Sequence, residues 1–360
     1  MTFNHVMLTV ARESEGYTQI ALAKASGMSQ PHYSQIENGF KTPSPEQVEI
    51  FVRELGVPVE FFDRVGTVVP EGLVDFFHRR RRTLPAKPLQ RAHAFANIVR
   101  LELSRLFVSV ELEDVQGWPH LGGYEPEEAA RALRAAWRLT PGPAPDLVGL
   151  IESTGSPVVR ADLFHEKISA MTMPHIDGRH VVLLNERMPA SHLRFAVAHE
   201  MGHLVLHTGD TTESIEEEAD RFASEFLMPE RDIRHQLAHL RFNDLGPLKH
   251  NWKVSFAALI HRAHDLSAIS DRMYTTLNIQ LNKLPQGRKR EPGEFAHEQP
   301  TLVQGAINYL INSEGYSLAE VAQLMGSLER TVKARYLGQE ERHLRIIGAT
   351  SARPALRISS

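Results

Sequence analysis

Most of the chain carries apolar residues at helical spacing, and one central stretch alternates as β-strands do. In the first 65 residues, glycines separate four short segments that have the helical period. These predicted helices are residues 6–13, 18–25, 30–37 and 45–55. Further helices are predicted at 89–113, 127–139, 191–207 with Ser191 as N-cap, 215–228 and 302–336.

The central residues 157–161, 168–173 and 180–184 are predicted as short strands separated by turn residues. The sequence therefore predicts a mainly α fold with a small β-sheet, of the α+β class. We divide it into a domain at 1–66, a helical linker region at 67–145, a domain at 146–282, a linker at 283–300 and a helical C-terminal region at 301–348.

The composition narrows the chemistry of any bound group. The chain has 360 residues, a formal net charge of −4, 19 histidines and no cysteine. A metal can therefore be held only by His, Asp or Glu, and a reducing compartment is favoured. We find no apolar run of about 18 residues and no secretory signal at the start, so we expect a cytoplasmic protein without a membrane partner.

Residues 18–39 carry the pattern of a DNA-binding helix-turn-helix. Thr18 and Ser29 can cap two helices, and Gly27 stands where the turn needs a positive φ. The start of the second helix can offer polar groups to base edges, and the start of the first can reach a phosphate. The predicted DNA-contacting residues are Gln19, Ser29, Gln30, His32, Tyr33 and Ser34.

This stretch resembles the Cro/phage-repressor (XRE) family over about residues 4–63. The matching residues are Gln19, Ala23, Gly27, Ser29, Gln30, Ser34, Glu37, Gly39 and Pro43. The resemblance implies a five-helix bundle with residues 29–37 as recognition helix, acting as a homodimer on a two-fold operator in double-stranded DNA.

The charge of this region leaves an alternative open, a helical bundle that no longer binds DNA. Residues 1–65 hold five basic and eight acidic side chains, whereas nucleic-acid-binding domains are usually basic. The arginines at 79–82 either supply phosphate contacts from just outside this region or form a solvated face.

The segment His199-Glu200-Met201-Gly202-His203 is an H-E-x-x-H motif in an apolar surrounding. On a helix, residues i and i+4 share one face about 6 Å apart, so His199 and His203 can bind one metal. Glu200 then stands beside the metal, where a general base for water is needed. Because cysteine is absent, a zinc site with two histidines, one glutamate and one open position is expected.

The third metal ligand is predicted in the helix at 215–228. Glu216 lies at the edge of its buried stripe, with Asp220 one turn on as a hydrogen-bond partner for a histidine. Glu218, on the other flank, is the alternative ligand. Candidates for stabilising a transition state are His175, His180, His192 and His207.

Two segments together resemble the ImmA/IrrE metallopeptidase family over about residues 150–235. They are F-A-V-A-H-E-M-G-H-L-V-L-H at 195–207 and E-x-E-A-D-x-F-A-x-x-F-L-M-P at 216–229. The resemblance implies a zincin-like fold and zinc-dependent cleavage of a partner protein such as a repressor. The sequence thus predicts a DNA-binding transcriptional regulator with a zinc metalloendopeptidase domain. The alternative is a transcription factor whose peptidase-like domain only senses a metal, metabolite or protein.

The C-terminal region repeats part of the sequence pattern of the helix-turn-helix. Residues 315–326 share with residues 16–27 a glycine, a tyrosine, a hydroxyl residue, an alanine and a final glycine. Residues 331–333 then resemble the start of a recognition helix. This region is predicted either as a second helix-turn-helix or as a helical hairpin that packs or dimerises.

Overall fold

The computed structural model describes residues 3–64, 68–69, 85–112, 117–174, 179–207, 213–285, 287 and 290–338. Within these ranges it contains sixteen α-helices and one three-stranded sheet, which confirms the predicted α+β class. The arginine run at 79–82, His175 and the tail from residue 349 lie outside the described residues. Among the described helices, none is long and apolar enough to cross a membrane.

The N-terminal unit consists of four α-helices closed by one 3-10 helix. They are α1 (His5–Ser14), α2 (Gln19–Ala25), α3 (Gln30–Glu37), α4 (Pro45–Leu55) and the 3-10 helix Val59–Asp63. Each α-helix begins at a side-chain cap, as sequence chemistry predicts. The capping residues are Asn4, Thr18, Ser29 and Ser44. The fifth helix of the expected bundle is therefore a short 3-10 helix.

The long helix α5 (Ala86–Val108) connects the N-terminal unit to the rest of the chain. One face packs on α1, and another packs on the C-terminal helices α14 (Leu302–Asn312) and α15 (Leu318–Met325). The helix α16 (Glu329–Val332) follows and continues as a π-helical stretch at Lys333–Leu337. The region predicted as a helical linker thus belongs to the core of the structure.

The central sheet has the order β1-β3-β2 and is buried on both faces. Its strands are β1 (Val158–Ala161), β2 (Ala170–Pro174) and β3 (His180–Asn185), with β3 parallel to β1 and antiparallel to β2. Because successive strand residues point to opposite faces, Val182 lies in the core shared with α8 (Ala190–Leu206). Leu183 lies in the other core, beneath α5 and α14.

The helices around the sheet complete a central unit, which comprises α6 to α13 and the sheet. Before it come α6 (Pro126–Ala136) and α7 (Leu147–Ser153). After α8 come α9 (Glu213–Leu227), α10 (Glu230–Leu237), a 3-10 helix at Phe242–Asp244, α11 (Leu245–Trp252), α12 (Phe256–Asp265) and α13 (Asp271–Asn282). Helix α8 begins at Ala190, so Ser191 lies inside the first turn and is not the N-cap that its sequence position predicts.

The polar segment predicted as a linker packs against the central unit over its described residues 290–298. Buried Glu291 accepts hydrogen bonds from Lys249 Nζ at 3.2 Å and from the Phe256 amide at 2.7 Å. Glu294 accepts from the Ser191 amide at 2.7 Å. Because a buried carboxylate needs such partners, this segment is held in place and carries α14 to a defined position.

Candidate metal centre and DNA-binding surface

The helices α8 and α9 form the frame of the candidate metal centre. They pack so closely that a Cβ atom added at Gly202 would meet Ala219 Cα at 3.2 Å and Phe222 Cδ1 at 3.1 Å. The first turns of α9 therefore lie beside the H-E-x-x-H face of α8. This approach brings a carboxylate to the two histidines.

Three side chains converge on one point. His199 Nε2 and His203 Nε2 lie 3.0 Å apart, and the Glu216 carboxylate oxygens lie 3.7 Å and 3.6 Å from them, respectively. Among the described residues, this trio brings its ligand atoms within 4.8 Å of one another. For metal bonds of about 2.0–2.1 Å, tetrahedral ligand atoms are about 3.3 Å apart. The trio is thus close to the geometry that a zinc ion requires.

A chain of hydrogen bonds determines which ring nitrogen of each histidine carries the lone pair. Because carboxylates accept, His207 Nε2 donates to Glu218 at 2.9 Å and His199 Nδ1 donates to Asp220 at 2.8 Å. In a neutral imidazole the other ring nitrogen accepts, and in that form of His207 the His203 Nδ1 atom donates to it across 3.0 Å.

In these tautomers, the Nε2 atoms of both His199 and His203 carry lone pairs that face each other beside the Glu216 carboxylate. Electron pairs at this distance repel one another, and a bound cation removes the repulsion. The donor set therefore fits a metal ion.

The pKa of His199 also indicates that this site favours a cation. Burial lowers the pKa of His199, but the hydrogen bond to Asp220 and the charges of Asp220, Glu200 and Glu216 outweigh it. The net result is a pKa above the ordinary histidine value. A proton is the simplest cation, so a raised pKa is a sign that the site attracts positive charge.

Glu200 is buried beside the trio and is oriented by the sheet. The Thr172 hydroxyl, on β2, donates to Glu200 Oε2 at 3.0 Å. Sequence reasoning missed Thr172, because nothing in the H-E-x-x-H motif indicates which strand residue will face it. The carboxylate lies where the motif predicts a general base, next to the ligands and not among them.

The sequence left Glu216 and Glu218 open as the third ligand, and the two residues occupy different places. Glu216 faces both histidine Nε2 atoms, whereas Glu218 bonds to His207. The geometry therefore favours Glu216 as ligand and Asp220 as the partner of His199, and both roles stay predictions. His207 is engaged between His203 and Glu218, which favours a supporting role over transition-state stabilisation.

We predict that Gly202→Ala weakens both the fold and metal binding. The added methyl group would push α9, and Glu216 with it, away from α8. Overpacking of this kind costs about 1–3 kcal/mol, partly offset by about 1 kcal/mol of better helix propensity. Thermal unfolding and a zinc titration check this, with Gly305→Ala as control, since a Cβ there meets nothing within 4 Å. Equal effects of the two substitutions would contradict the prediction.

The candidate DNA-binding surface lies on α2 and α3. Gly27 adopts φ +67° at the turn between them, as predicted. Exposed Gln30, the first residue of α3, donates from Nε2 to Gln19 Oε1 at 3.3 Å, so two of the predicted contact residues form one polar pair. Ser29 caps α3 by accepting from the His32 amide at 3.4 Å.

The prediction that Tyr33 contacts DNA is wrong. Its side chain is fully buried and packs edge-on against Phe51, with ring centroids 5.9 Å apart. His32 is half-buried, and its Nε2 atom lies 3.0 Å from the amide nitrogen of Gln47, so the ring forms a hydrogen bond with α4. Of the other predicted contact residues, Ser29 and Gln30 are exposed, whereas Gln19 and Ser34 are half-buried.

A buried ion pair fixes α3 on the scaffold. Arg12 of α1 donates from Nε to Glu37 Oε1 at 2.9 Å, and both side chains are nearly inaccessible to solvent. Burial opposes the charge of Arg12, but Glu37 and Glu13 raise its pKa above the ordinary value. This pair ties the C-terminal end of α3 to α1 while its N-terminal end stays exposed.

These observations indicate a protein with a helix-turn-helix unit and a metallopeptidase-like unit. Comparison with protein families agrees: residues 10–62 match a model described as helix-turn-helix, and residues 151–264 match one described as IrrE N-terminal-like domain. The chain therefore joins an XRE-type helix-turn-helix to an ImmA/IrrE-like peptidase domain, as both resemblances indicated. No curated protein sequence matches the chain.

Proposed function

We propose that this protein is a cytoplasmic transcriptional regulator that binds a double-stranded DNA operator and cleaves a partner protein, such as a repressor, as a zinc metalloendopeptidase. The convergence of His199, His203 and Glu216, with buried Glu200 beside them, carries the proposal. The helix-turn-helix supplies the DNA-binding part. A homodimer on a two-fold site is the arrangement that XRE resemblance implies.

The residues divide the chemistry between them. His199, His203 and Glu216 would hold zinc, which supplies Lewis acidity toward the scissile carbonyl and lowers the pKa of water. Glu200 takes a proton from the attacking water and passes it to the leaving amine. Thr172 keeps the Glu200 carboxylate oriented for that transfer. A sensor needs only the ligands, so the buried and oriented Glu200 favours catalysis.

The sheet supports an extended peptide as the substrate. Among the described strands, β2 is one of the two edge strands, and its residue Thr172 donates a hydrogen bond directly to Glu200. An edge strand offers backbone N–H and C=O groups that an added strand can pair with. A substrate segment paired along β2 would therefore pass next to Glu200.

A peptide library derived from a whole proteome tests the peptidase part. The zinc-loaded full-length chain is incubated with the library, and new N-termini are identified by mass spectrometry. The proposal expects cleavage that needs zinc and stops when a chelator is added. Termini that form equally with and without zinc would contradict it.

We predict that Gln30→Ala lowers sequence-specific DNA binding. A good side-chain contact to a base edge contributes about 1–3 kcal/mol, which corresponds to a roughly 5- to 150-fold loss of affinity. Anisotropy measurements on duplexes selected from a random library check this. Gln280→Ala, an exposed glutamine on α13, serves as the matched control. If both variants bind the selected duplex as the native chain does, Gln30 has no part in recognition.

A further inference from the structure

The C-terminal helices repeat the sequence of the helix-turn-helix more closely than the shared glycines alone indicate. Residues 313–317 are Ser-Glu-Gly-Tyr-Ser, and residues 14–18 are Ser-Glu-Gly-Tyr-Thr. At the same spacing, three further residues of the first unit recur in the second. These pairs are Ala23 and Ala322, Gly27 and Gly326, and Gly39 and Gly338.

The backbone repeats at two of the three glycine pairs, whereas Gly39 has φ +78° and Gly338 has φ −76°. The glycine before the first helix of the motif has φ +76° at Gly16 and +78° at Gly315. The glycine of the turn has φ +67° at both Gly27 and Gly326. These are left-handed conformations that glycine adopts without strain, so the same turns are specified twice.

Hydrogen bonds close both turns in the same way. The amide of Met28 donates to the Ala23 carbonyl at 2.8 Å, and the amide of Ser327 donates to the Ala322 carbonyl at 2.8 Å. The cap of the first helix corresponds too, since Ser317 begins α15 as Thr18 begins α2, whereas Leu328 before α16 makes no side-chain cap of the kind that Ser29 makes before α3. We therefore identify residues 302–338 as a second helix-turn-helix unit.

The two units also bury the same positions. Leu22 and Val321, Ala23 and Ala322, and Tyr33 and Val332 are buried pairs. The first two residues of the second helix are exposed in both units, Gln30 and Pro31 in one and Glu329 and Arg330 in the other. The start of the helix that reads DNA in a helix-turn-helix is thus exposed in the second unit, in a groove that Val52 and Arg53 of α4 also line.

That exposed face carries positive charge. Arg330 and Lys333 both lie at the surface, and they line one groove together with Glu329 and with Arg53 of α4, which is paired with Glu54 at 3.1 Å. When a helix lies in the major groove of DNA, cationic side chains along it can contact the phosphates on either side of that groove. Glu329, at the helix start, can accept from the amino group of a cytosine.

Two sets of contacts hold residues 302–338 against the N-terminal unit, one direct and one through α5. Arg64, just after the first unit, donates to the Gly326 carbonyl, and Glu102 of α5 accepts from the Tyr336 hydroxyl at 2.7 Å. Glu102 also accepts from Arg335 at 2.5 Å. Two DNA-binding units held in this way would contact DNA at a fixed mutual spacing.

We propose that residues 302–338 form a second DNA-binding site, in which Arg330 and Lys333 contact phosphates and Glu329 faces a base edge. The chain then has two sites for double-stranded DNA. This site is additional to the DNA-binding unit at residues 10–62.

The test uses the full-length chain and duplexes that it selects from a random-sequence library. The double variant Arg330→Ala/Lys333→Ala is compared with Arg272→Ala/Lys283→Ala, which removes two exposed cations at α13. Hydroxyl-radical footprints and the salt dependence of affinity are measured for both. Thermal unfolding shows that the variants stay folded, since all four side chains are exposed.

The proposal expects the Arg330→Ala/Lys333→Ala footprint to lose one protected segment. The slope of log K against log salt should fall by about 1.8 in magnitude, because each phosphate contact contributes about 0.9. The control should keep both properties. A footprint and slope equal to those of the native chain would overturn the proposal, and if Gln30→Ala still weakens binding, the first DNA site stands without the second.

Discussion

Glu200→Gln should abolish peptide cleavage while leaving zinc and DNA binding nearly intact. Glutamine has the size of glutamate and its carbonyl can still accept from Thr172, so the helix and the metal ligands are not disturbed. It cannot take a proton from water, however, and general base catalysis contributes about 10²- to 10⁴-fold to a rate. We expect a loss of that size in the formation of new N-termini from the peptide library.

Glu217→Gln is the matched control for this experiment. Glu217 is an exposed residue of α9, on a different face from Glu216, and its substitution changes the net charge by the same amount. It should cleave at the native rate. If Glu200→Gln also cleaves at the native rate, Glu200 is not the base. If regulation in cells survives Glu200→Gln, the sensing alternative is the better account of the physiological role.

Glu216→Gln and Glu218→Gln should weaken zinc binding to different degrees. Glu216 faces both histidine Nε2 atoms and would bind the metal directly, whereas Glu218 acts through His207 on the tautomer of His203. Loss of an outer partner typically lowers metal affinity about 10- to 100-fold, and loss of a ligand should exceed that. Competition with a chromophoric chelator measures both affinities.

The order of these two effects decides between the candidates that the sequence left open. Glu217→Gln again serves as control and should bind zinc as the native chain does. A larger loss for Glu218→Gln than for Glu216→Gln would make Glu218 the ligand. Equal native affinity in all three variants would place the third ligand elsewhere.

Local patterns predicted the elements of the fold well, because they depend on short-range chemistry. The caps at Thr18 and Ser29, the positive φ of Gly27 and the three strands all follow from residues near in sequence. The burial of Tyr33 was also readable. It lies three residues before Ile36 and four before Glu37, on the one face of α3 that is buried.

Contacts between distant segments could not be predicted in this way. The choice between Glu216 and Glu218 depends on how closely α9 approaches α8 at Gly202, and the role of Thr172 depends on where β2 crosses α8. The same holds for the segment at 290–298, whose glutamates look like those of a solvated linker until Lys249 is placed among them. Helical period alone carries no information about these positions.

The zinc content of the purified full-length chain, measured by elemental analysis after dialysis, tests whether His199, His203 and Glu216 hold a zinc ion. His203→Ala is the comparison, because it removes one of the two histidines whose Nε2 atoms lie 3.0 Å apart. We expect about one zinc per native chain and its loss in the variant. Absence of zinc from the native chain even after reloading, or equal zinc in both, would show that these residues do not form a zinc site.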